Sequence, residues 1–488
     1  MKIALICDMH MPKDKNSIQW QFFLKSIEKI KKDGINTIIC LGDITAFGEY
    51  NAFEEYLKVM DSFEHYYVIG NSDVRSKSTQ SLFQEKSNGF HIECENINLL
   101  GINTPYARIE KRDMDAIDSL SDGDVLFFHH SIPALCEESR SFIEKIAEEK
   151  ALTIIHAHSH KWLDYTLEKS RVVCLRAIDP DKSIGDYPCI TYFDTDSKKL
   201  TEVLFENANN AALDARKYFG ISCVDNFADV AYAADNNVFG VELRCNGKDW
   251  KPDLSLVPLI EKWRSKTGGY LSVHMPNLKW KDGKMEGVEQ WYRAVEYAKA
   301  VNTDGMTIHP PRVKNNEFKD ARSEFLKLYK YAVESMGDSV NIGIENLHMA
   351  KGETDNEQRC FGYIPEEVSA WIDEINKAIG KENRVRHTLD VGHARNNGIF
   401  SQMFPISRWY EIMGKRTVAY HIHQVIHGEN GLKNHTAIEG WFGPMISYAS
   451  YFYAWEKNII NHVPIFLEVK GWENYEKSIK AFENTFLK

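Results

Sequence analysis

The sequence predicts two α/β domains in tandem: an α/β sandwich over residues 1–205 and an eight-stranded (β/α)₈ barrel over residues 219–488. Three observations carry this. In the first 205 residues, short apolar runs end five times in clusters of Asp, Asn or His, and most lead into helical patterns. Glu206 to Tyr218 is polar and rich in Ala and Asn, which marks a linker at 206–218. Beyond it, eight apolar runs alternate with amphipathic helical patterns, matching a (β/α)₈ barrel in number and length.

The length and composition agree. At 488 residues the chain exceeds one ordinary core. Its 43% apolar and 26% charged residues are those of a soluble globular protein. A net charge of −11 gives no basic footprint for nucleic acid, although local patches and bound cations can reverse the sign in a cleft. No apolar run approaches the roughly 18 residues of a membrane span. Met1-Lys2 followed directly by a strand does not read as a signal peptide. Nine Cys without a CxxC pair fit a reducing, cytoplasmic setting. Nothing in the pattern sets the oligomeric state.

In order, Ile3–Cys7 reads as a buried strand, and Asp8 and His10 follow on the same side of the extended chain. Ser17–Lys32 has helical spacing, with Gly34 as its stop. A strand at 36–41 ends in Gly42-Asp43, a helix spans about 50–63, and a strand at 66–69 ends in Gly70-Asn71-Ser72-Asp73. Further strands are read at 97–102, at 125–128 before His129-His130, and at 152–155 before His156-Ala157-His158-Ser159-His160. A helix is read around 142–149, and 189–205 reads as a hairpin. Asp, Asn and His at successive strand ends are the donors of divalent cations. His65, His91 and His156 read as packing residues.

Asp-x-His, Gly-Asp, Gly-Asn-x-Asp, a His pair and His-x-His together resemble the calcineurin-like metallophosphoesterase family over residues 1–205. The resemblance implies two divalent cations, Mn, Fe or Zn. Asp8, His10 and His160 would hold one and Asn71, His129 and His158 the other, with Asp43 bridging. His129 rather than His130 is chosen because the family ligand is the first His after the strand. Asp43, Asn71 and His129 are then the catalytic set. Two cations hold a hydroxide that attacks phosphorus and offset charge on the phosphoryl oxygens. Ser72 departs from the members that carry His there to assist the leaving group, so that role is unassigned. Asp73 and Arg75 lie near enough in sequence to contribute.

In the second half, strands are read at 220–224, 238–243, 270–274, 305–309, 341–345, 385–389, 418–421 and 463–468. Six consecutive strands end in His, Glu or Asp: His274, His309, Glu345, Asp390 with His393, His421 with His423, and Glu468. In this fold strand C-termini form one mouth. The pattern resembles the xylose-isomerase-like barrels, which include sugar isomerases, epimerases and the endonuclease IV type. The epimerase-type pattern implies one cation on Glu345, Asp390, His421 and Glu468, with Glu345 and Glu468 shuttling a proton and His393 binding substrate. The nuclease-type pattern adds His274, His309, His393 and His435 as ligands of a zinc cluster. Lys433 stands where that pattern has Asp, and a charged Lys repels a cation. One or two ions, Zn or Mn, are therefore expected in the barrel. Trp441, Trp472 and Lys470 lie near the mouth as substrate-contact candidates.

The expected function is a dinuclear phosphoesterase, on monoesters or diesters, fused to a metal-binding isomerase- or epimerase-like barrel. Its expected partner is a small phosphorylated metabolite, without a membrane. The alternatives are a nucleic-acid phosphodiesterase fused to an endonuclease-type barrel, and a phosphoesterase with a non-catalytic barrel.

Overall fold

A computed structural model describes residues 1–86, 89–245, 250–349, 358–429, 431–443 and 445–487. The chain divides into two compact units, 1–207 with 447–449, and 208–446 with 450–488.

In the first unit, Lys2–Ile6 lies at the centre of a five-stranded sheet. It pairs in parallel with Thr37–Cys40 and antiparallel with Cys189–Asp194. Glu64–Tyr67 and Lys199–Leu204 are the edges. A second, six-stranded sheet holds Phe90–Cys94, Ile97–Gly101, Val125–Phe128, Thr153–His156, Ser170–Cys174 and Leu163–Leu167, in that order. Alternate residues Ile3, Leu5 and Cys7 join Ile39, Phe127, Ile155 and Val173 in one buried cluster. Burying each such side chain contributes about 1.5–3 kcal/mol. Helix Ile18–Lys32 starts where the Ser17 hydroxyl accepts from the Trp20 amide, and ends with Lys29, Lys31 and Lys32 on the negative end of its dipole.

The expected helix around 142–149 begins earlier, at Glu137, where Glu137 and Glu138 favour its N-terminus. The third strand sits at 64–67, because Val68 and Ile69 already lead into the Gly70 loop. Residues 90–94, with alternating half-buried and exposed side chains, form an edge strand that a search for apolar runs passes over. Within 206–218, Asn209–Ala215 is a helix with Ala211, Ala212 and Ala215 buried.

The second unit is a closed barrel of eight parallel strands: Phe219–Ser222, Gly240–Arg244, Tyr270–His274, Gly305–Ile308, Asn341–Glu345, Val385–Asp390, Thr417–Ile422 and Ile465–Leu467. The (β/α)₈ fold class is borne out. Trp441 packs flat on Phe219 and edge-on to Phe482, and Trp472 stacks on Tyr232. Small antiparallel ladders lie in the segments after the barrel strands. Lys279–Lys281 pairs with Lys284–Glu286, Arg312–Lys314 with Gln358–Cys360, and Gln424–Gly428 with Gly431–Thr436. Among the described residues no helix is long and apolar enough to cross a membrane.

Candidate metal centres

In the first unit, parallel pairing of Lys2–Ile6 with Thr37–Cys40 sets Asp8 beside Gly42 and Asp43. The amides of Asp8 and His10 donate to the Gly42 and Asp43 carbonyls, each at 3.0 Å. Gly42 has φ +86°, and a Cβ on Gly70 would lie 2.2 Å from Asp43 Oδ1. Only glycine lets these two loops approach that closely. Asp8, His10, Asp43, His158 and His160 all have positive φ, between 43° and 68°. Left-handed backbone at non-glycine residues is strained and gathers at functional sites.

Ligand atoms of Asp8, His10 and His160 converge within 4.8 Å of one another, and so do those of Asp43, His129 and His158. Asp43 touches both groups, with Oδ2 3.1 Å from His10 Nε2 and Oδ1 3.4 Å from His129 Nε2. Asn71 Oδ1 lies 3.2 Å from His129 Nε2. His129 Nδ1 donates to the Leu41 carbonyl at 2.8 Å, which leaves Nε2 of the neutral ring as a lone-pair donor. Burial pushes the Asp43 carboxyl up, but the His129 and His10 imidazoles outweigh it and hold it well below the usual range. Burial works against a charged His129, yet Asp43 and Asp8 raise it to about 9. Burial, then the neighbouring His129, lowers His158 to about 4 and His130 to about 3. Asp8 Oδ1 is buried without a hydrogen bond. Carboxylates and imidazoles packed this closely, with buried unsatisfied atoms, fit divalent cations.

Sequence reasoning passed over Asp179, whose Oδ2 lies 3.3 Å from His10 Nδ1. Ser72 is fully buried, with its amide donating to Asp43 Oδ1 and its hydroxyl to the Thr45 carbonyl. Asp73 accepts from the Thr45 and Gly70 amides, which holds the two loops together.

At the barrel mouth the predicted residues, joined by His423, sort into three groups, each with ligand atoms within 4.8 Å: His274, His309 and Glu345; Glu345, Asp390, His421 and Glu468; and His393, His423 and His435. Glu345 belongs to two of them. Its Oε2 lies 3.2 Å from His274 Nε2 and 3.1 Å from His309 Nε2, and its Oε1 3.3 Å from His421 Nδ1. His421 Nδ1 is also 3.2 Å from Glu468 Oε2. The rings of His274 and His393 donate through Nδ1 to the Met275 and Asn346 carbonyls, which turns Nε2 of each toward the site. His393 Nε2, His435 Nδ1, Asp390 Oδ2 and Glu468 Oε2 are buried without hydrogen bonds. Burial opposes charge on Glu345, but His421 and His309 hold its carboxyl well below the usual range. Burial, moderated by Glu345, lowers His309 to about 4. These donor sets likewise fit divalent cations.

Sequence reasoning missed two residues here. His423, noted at its strand end but not counted as a ligand, completes the third group, with Nε2 3.2 Å from Asp390 Oδ1. Glu242, on the second barrel strand, is fully buried under the site. It lies 3.0 Å from His421 Nε2 and accepts from the hydroxyls of Ser222, Ser272 and Thr307. Its carboxylate faces Nε2 of His421, whose Nδ1 lies toward Glu345 and Glu468. The signal for it was a lone carboxylate inside an apolar strand. Arg244 pairs with Glu468 and donates to the Ser222 hydroxyl.

The fold and these donor clusters define a two-domain α/β protein with one candidate metal centre in each domain. The chain belongs to the xylose isomerase-like TIM barrel family, whose model matches residues 230–485. Residues 1–175 match the calcineurin-like phosphoesterase superfamily domain. Similar solved structures include a D-tagatose 3-epimerase-like protein, with 18% identity over 55% of this chain and 96% of that one at a TM-score of 0.39. Endonuclease IV from Thermus thermophilus shares 15% identity over 55% and 98% of the two chains, with a TM-score of 0.39. An AP endonuclease, family 2, from Brucella melitensis shares 14% over 53% and 95%, with a TM-score of 0.37. No curated protein matches this chain.

Proposed function

We propose that this chain is a phosphoester hydrolase with two multi-cation centres, a dinuclear one in the first unit and a trinuclear one in the barrel, the latter acting on a nucleic-acid phosphodiester. One observation carries the reading of the barrel: its donors form three groups, two sharing Glu345 and the third touching them through His423 and Asp390, not the single four-ligand group an epimerase-type site needs. Lys433 cannot serve as the acidic ligand of the nuclease-type pattern, and His423 supplies a donor in its stead. That raises the expected one or two barrel ions to three.

Bound divalent cations supply an activated water and offset charge on the phosphoryl oxygens. The chain's own groups arrange the rest. Asp43 joins the two halves of the first centre, Asn71 and His129 complete its second half, and Asp179 orients His10. In the barrel, Glu345 joins two donor groups and Glu242 orients His421. Asp390 and Glu468 supply the remaining negative charge.

The nucleic-acid substrate rests on charge placement. Lys279, Lys281, Lys284, Lys314, Lys433 and Lys470 are exposed on segments that follow barrel strands, in a chain of net charge −11. A phosphate backbone is bound by such fixed cations with a strong salt dependence. A second reading, an isomerase acting on a small phosphorylated sugar, uses only Glu345, Asp390, His421 and Glu468.

The test is to assay the metal-loaded full chain on abasic duplex DNA, on small phosphomonoesters and phosphodiesters, and on a ketose phosphate. Incision of the DNA that is lost in Asp390→Asn and His423→Ala supports the proposal. Isomerisation of the sugar phosphate, unaffected by His423→Ala, would replace it with the second reading.

A further inference from the structure

Barrel strand Gly240–Arg244 ends level with the donor groups, because Arg244 is the register partner of His274 on the next strand. Side chains alternate along a strand, so Arg244 shares the inner face with Glu242, two residues earlier. Its backbone is held from both sides. The Arg244 amide donates to Asn226 Oδ1 at 3.0 Å, and Asn226 Nδ2 donates to the Arg244 carbonyl at 3.1 Å. Its guanidinium is held as closely. Nε and Nη2 each donate to Ser222 Oγ at 3.2 Å, and Nη2 pairs with Glu468 Oε1. That same oxygen lies 3.4 Å from His435 Nδ1, and the other Glu468 oxygen lies 3.2 Å from His421 Nδ1. Arg244 is therefore bonded directly to a carboxylate that touches two of the three donor groups.

These bonds use Nε and Nη2 only. Nη1 makes no hydrogen bond among the described residues, and the side chain is 23% exposed. A guanidinium stays charged and accepts no hydrogen bond, so the two N–H groups of Nη1 are satisfied only by water or by an acceptor on a ligand. Glu468 is its counter-ion in the metal-free chain. Divalent cations in the two groups that Glu468 touches neutralise that carboxylate, and Arg244 then stands beside them as a fixed positive group. A guanidinium already placed by other bonds loses little freedom on binding, and its N–H groups match the oxygens of a phosphate. Lys279, Lys281, Lys284, Lys314, Lys433 and Lys470 are exposed, which suits phosphates flanking the reacting one.

We propose that Arg244 binds a non-bridging oxygen of the phosphodiester under attack, through Nη1, while Ser222 and Glu468 hold the guanidinium in place. The inference rests on the phosphodiester reading of the barrel and adds to it a residue that contacts the reacting phosphate. Negative charge builds on the non-bridging oxygens as the nucleophile adds, so a fixed donor there acts more strongly in the transition state than in the ground state. This separates Arg244 from a residue that only orients Glu468.

The test uses the full metal-loaded chain and its Arg244→Met and Arg244→Lys variants, with an abasic duplex as substrate and inorganic phosphate as a separate ligand. In Arg244→Met the incision kcat falls about a hundredfold. The slope of its log DNA affinity against log salt falls by about 0.9, the value of one phosphate contact. Arg244→Lys keeps the charge and the slope but loses the planar fork, and its kcat falls about tenfold. Metal content matches the parent in both variants. Unchanged kcat and slope in Arg244→Met overturn the inference. Loss of a barrel ion in Arg244→Met overturns it too, since Arg244 would then act only by holding Glu468. Should Arg244→Met fail to fold, a parent-like kcat in Arg244→Lys overturns it and the tenfold fall with a kept slope supports it. If the parent neither binds nor incises the duplex, the phosphodiester reading fails. Calorimetric affinity for inorganic phosphate then decides Arg244, by a loss of about tenfold in Arg244→Met or by no change.

Discussion

Asp43 is the residue on which the first centre turns, because its two carboxylate oxygens face His10 and His129 separately. Asp43→Asn keeps the volume and removes the charge that both halves share. Phosphomonoester hydrolysis should fall about 10³-fold and at least one bound ion should be lost, with circular dichroism unchanged. Activity within tenfold of the parent would refute the bridging role. In the barrel, His423→Ala should remove one ion and leave the Glu345, Asp390, His421 and Glu468 group loaded. Metal analysis of the variant beside its parent checks this. The ligand types were legible in the sequence because Asp, Asn and His stood directly after apolar runs. Glu242 and Asp179 were not, since each acts through a partner distant in sequence: His421 for the first and His10 for the second.

At the scale of elements, the basic hairpin of Lys279–Lys281 and Lys284–Glu286 has a defined task under the proposal. Reversing Lys279, Lys281 and Lys284 to Glu should weaken DNA binding and reduce the slope of log affinity against log salt by about 2–3. An unchanged slope would place the nucleic acid elsewhere or exclude it. The strand Glu64–Tyr67 offers a stability test away from both centres. Burial lowers His65 to about 4, against about 6.5 for an unfolded chain, and its ring hydrogen-bonds the Tyr56 hydroxyl at 2.6 Å. The unfolded chain therefore takes up the proton first. Stability is complete above pH 6.5 and declines as the pH falls toward 4. Denaturation at pH 7 and pH 5 should show a loss about 1–2 kcal/mol smaller in His65→Gln than in the parent. The barrel strands were legible because parallel strands covered on both faces are continuous apolar runs. The small ladders were not, because Lys-Trp-Lys and Arg-Val-Lys are too short and polar to carry a period.

At the scale of the molecule, the two centres draw on separate donor sets from separate units. Glu345→Gln should abolish barrel activity and leave p-nitrophenyl phosphate hydrolysis within about twofold of the parent. Loss of both activities would mean that the centres are coupled. The division into two folds was legible from the change of rhythm around residues 206–218. The number of donor groups at the barrel mouth was not, because Lys433 argued against a third group and only the folded chain brings His423 beside His393 and His435. Element-resolved metal analysis of the 488-residue chain bears most directly on the central claim. Five tightly held divalent ions are predicted, two in the first unit and three in the barrel. Three ions, with a single one in the barrel, would contradict the trinuclear centre and favour the isomerase reading.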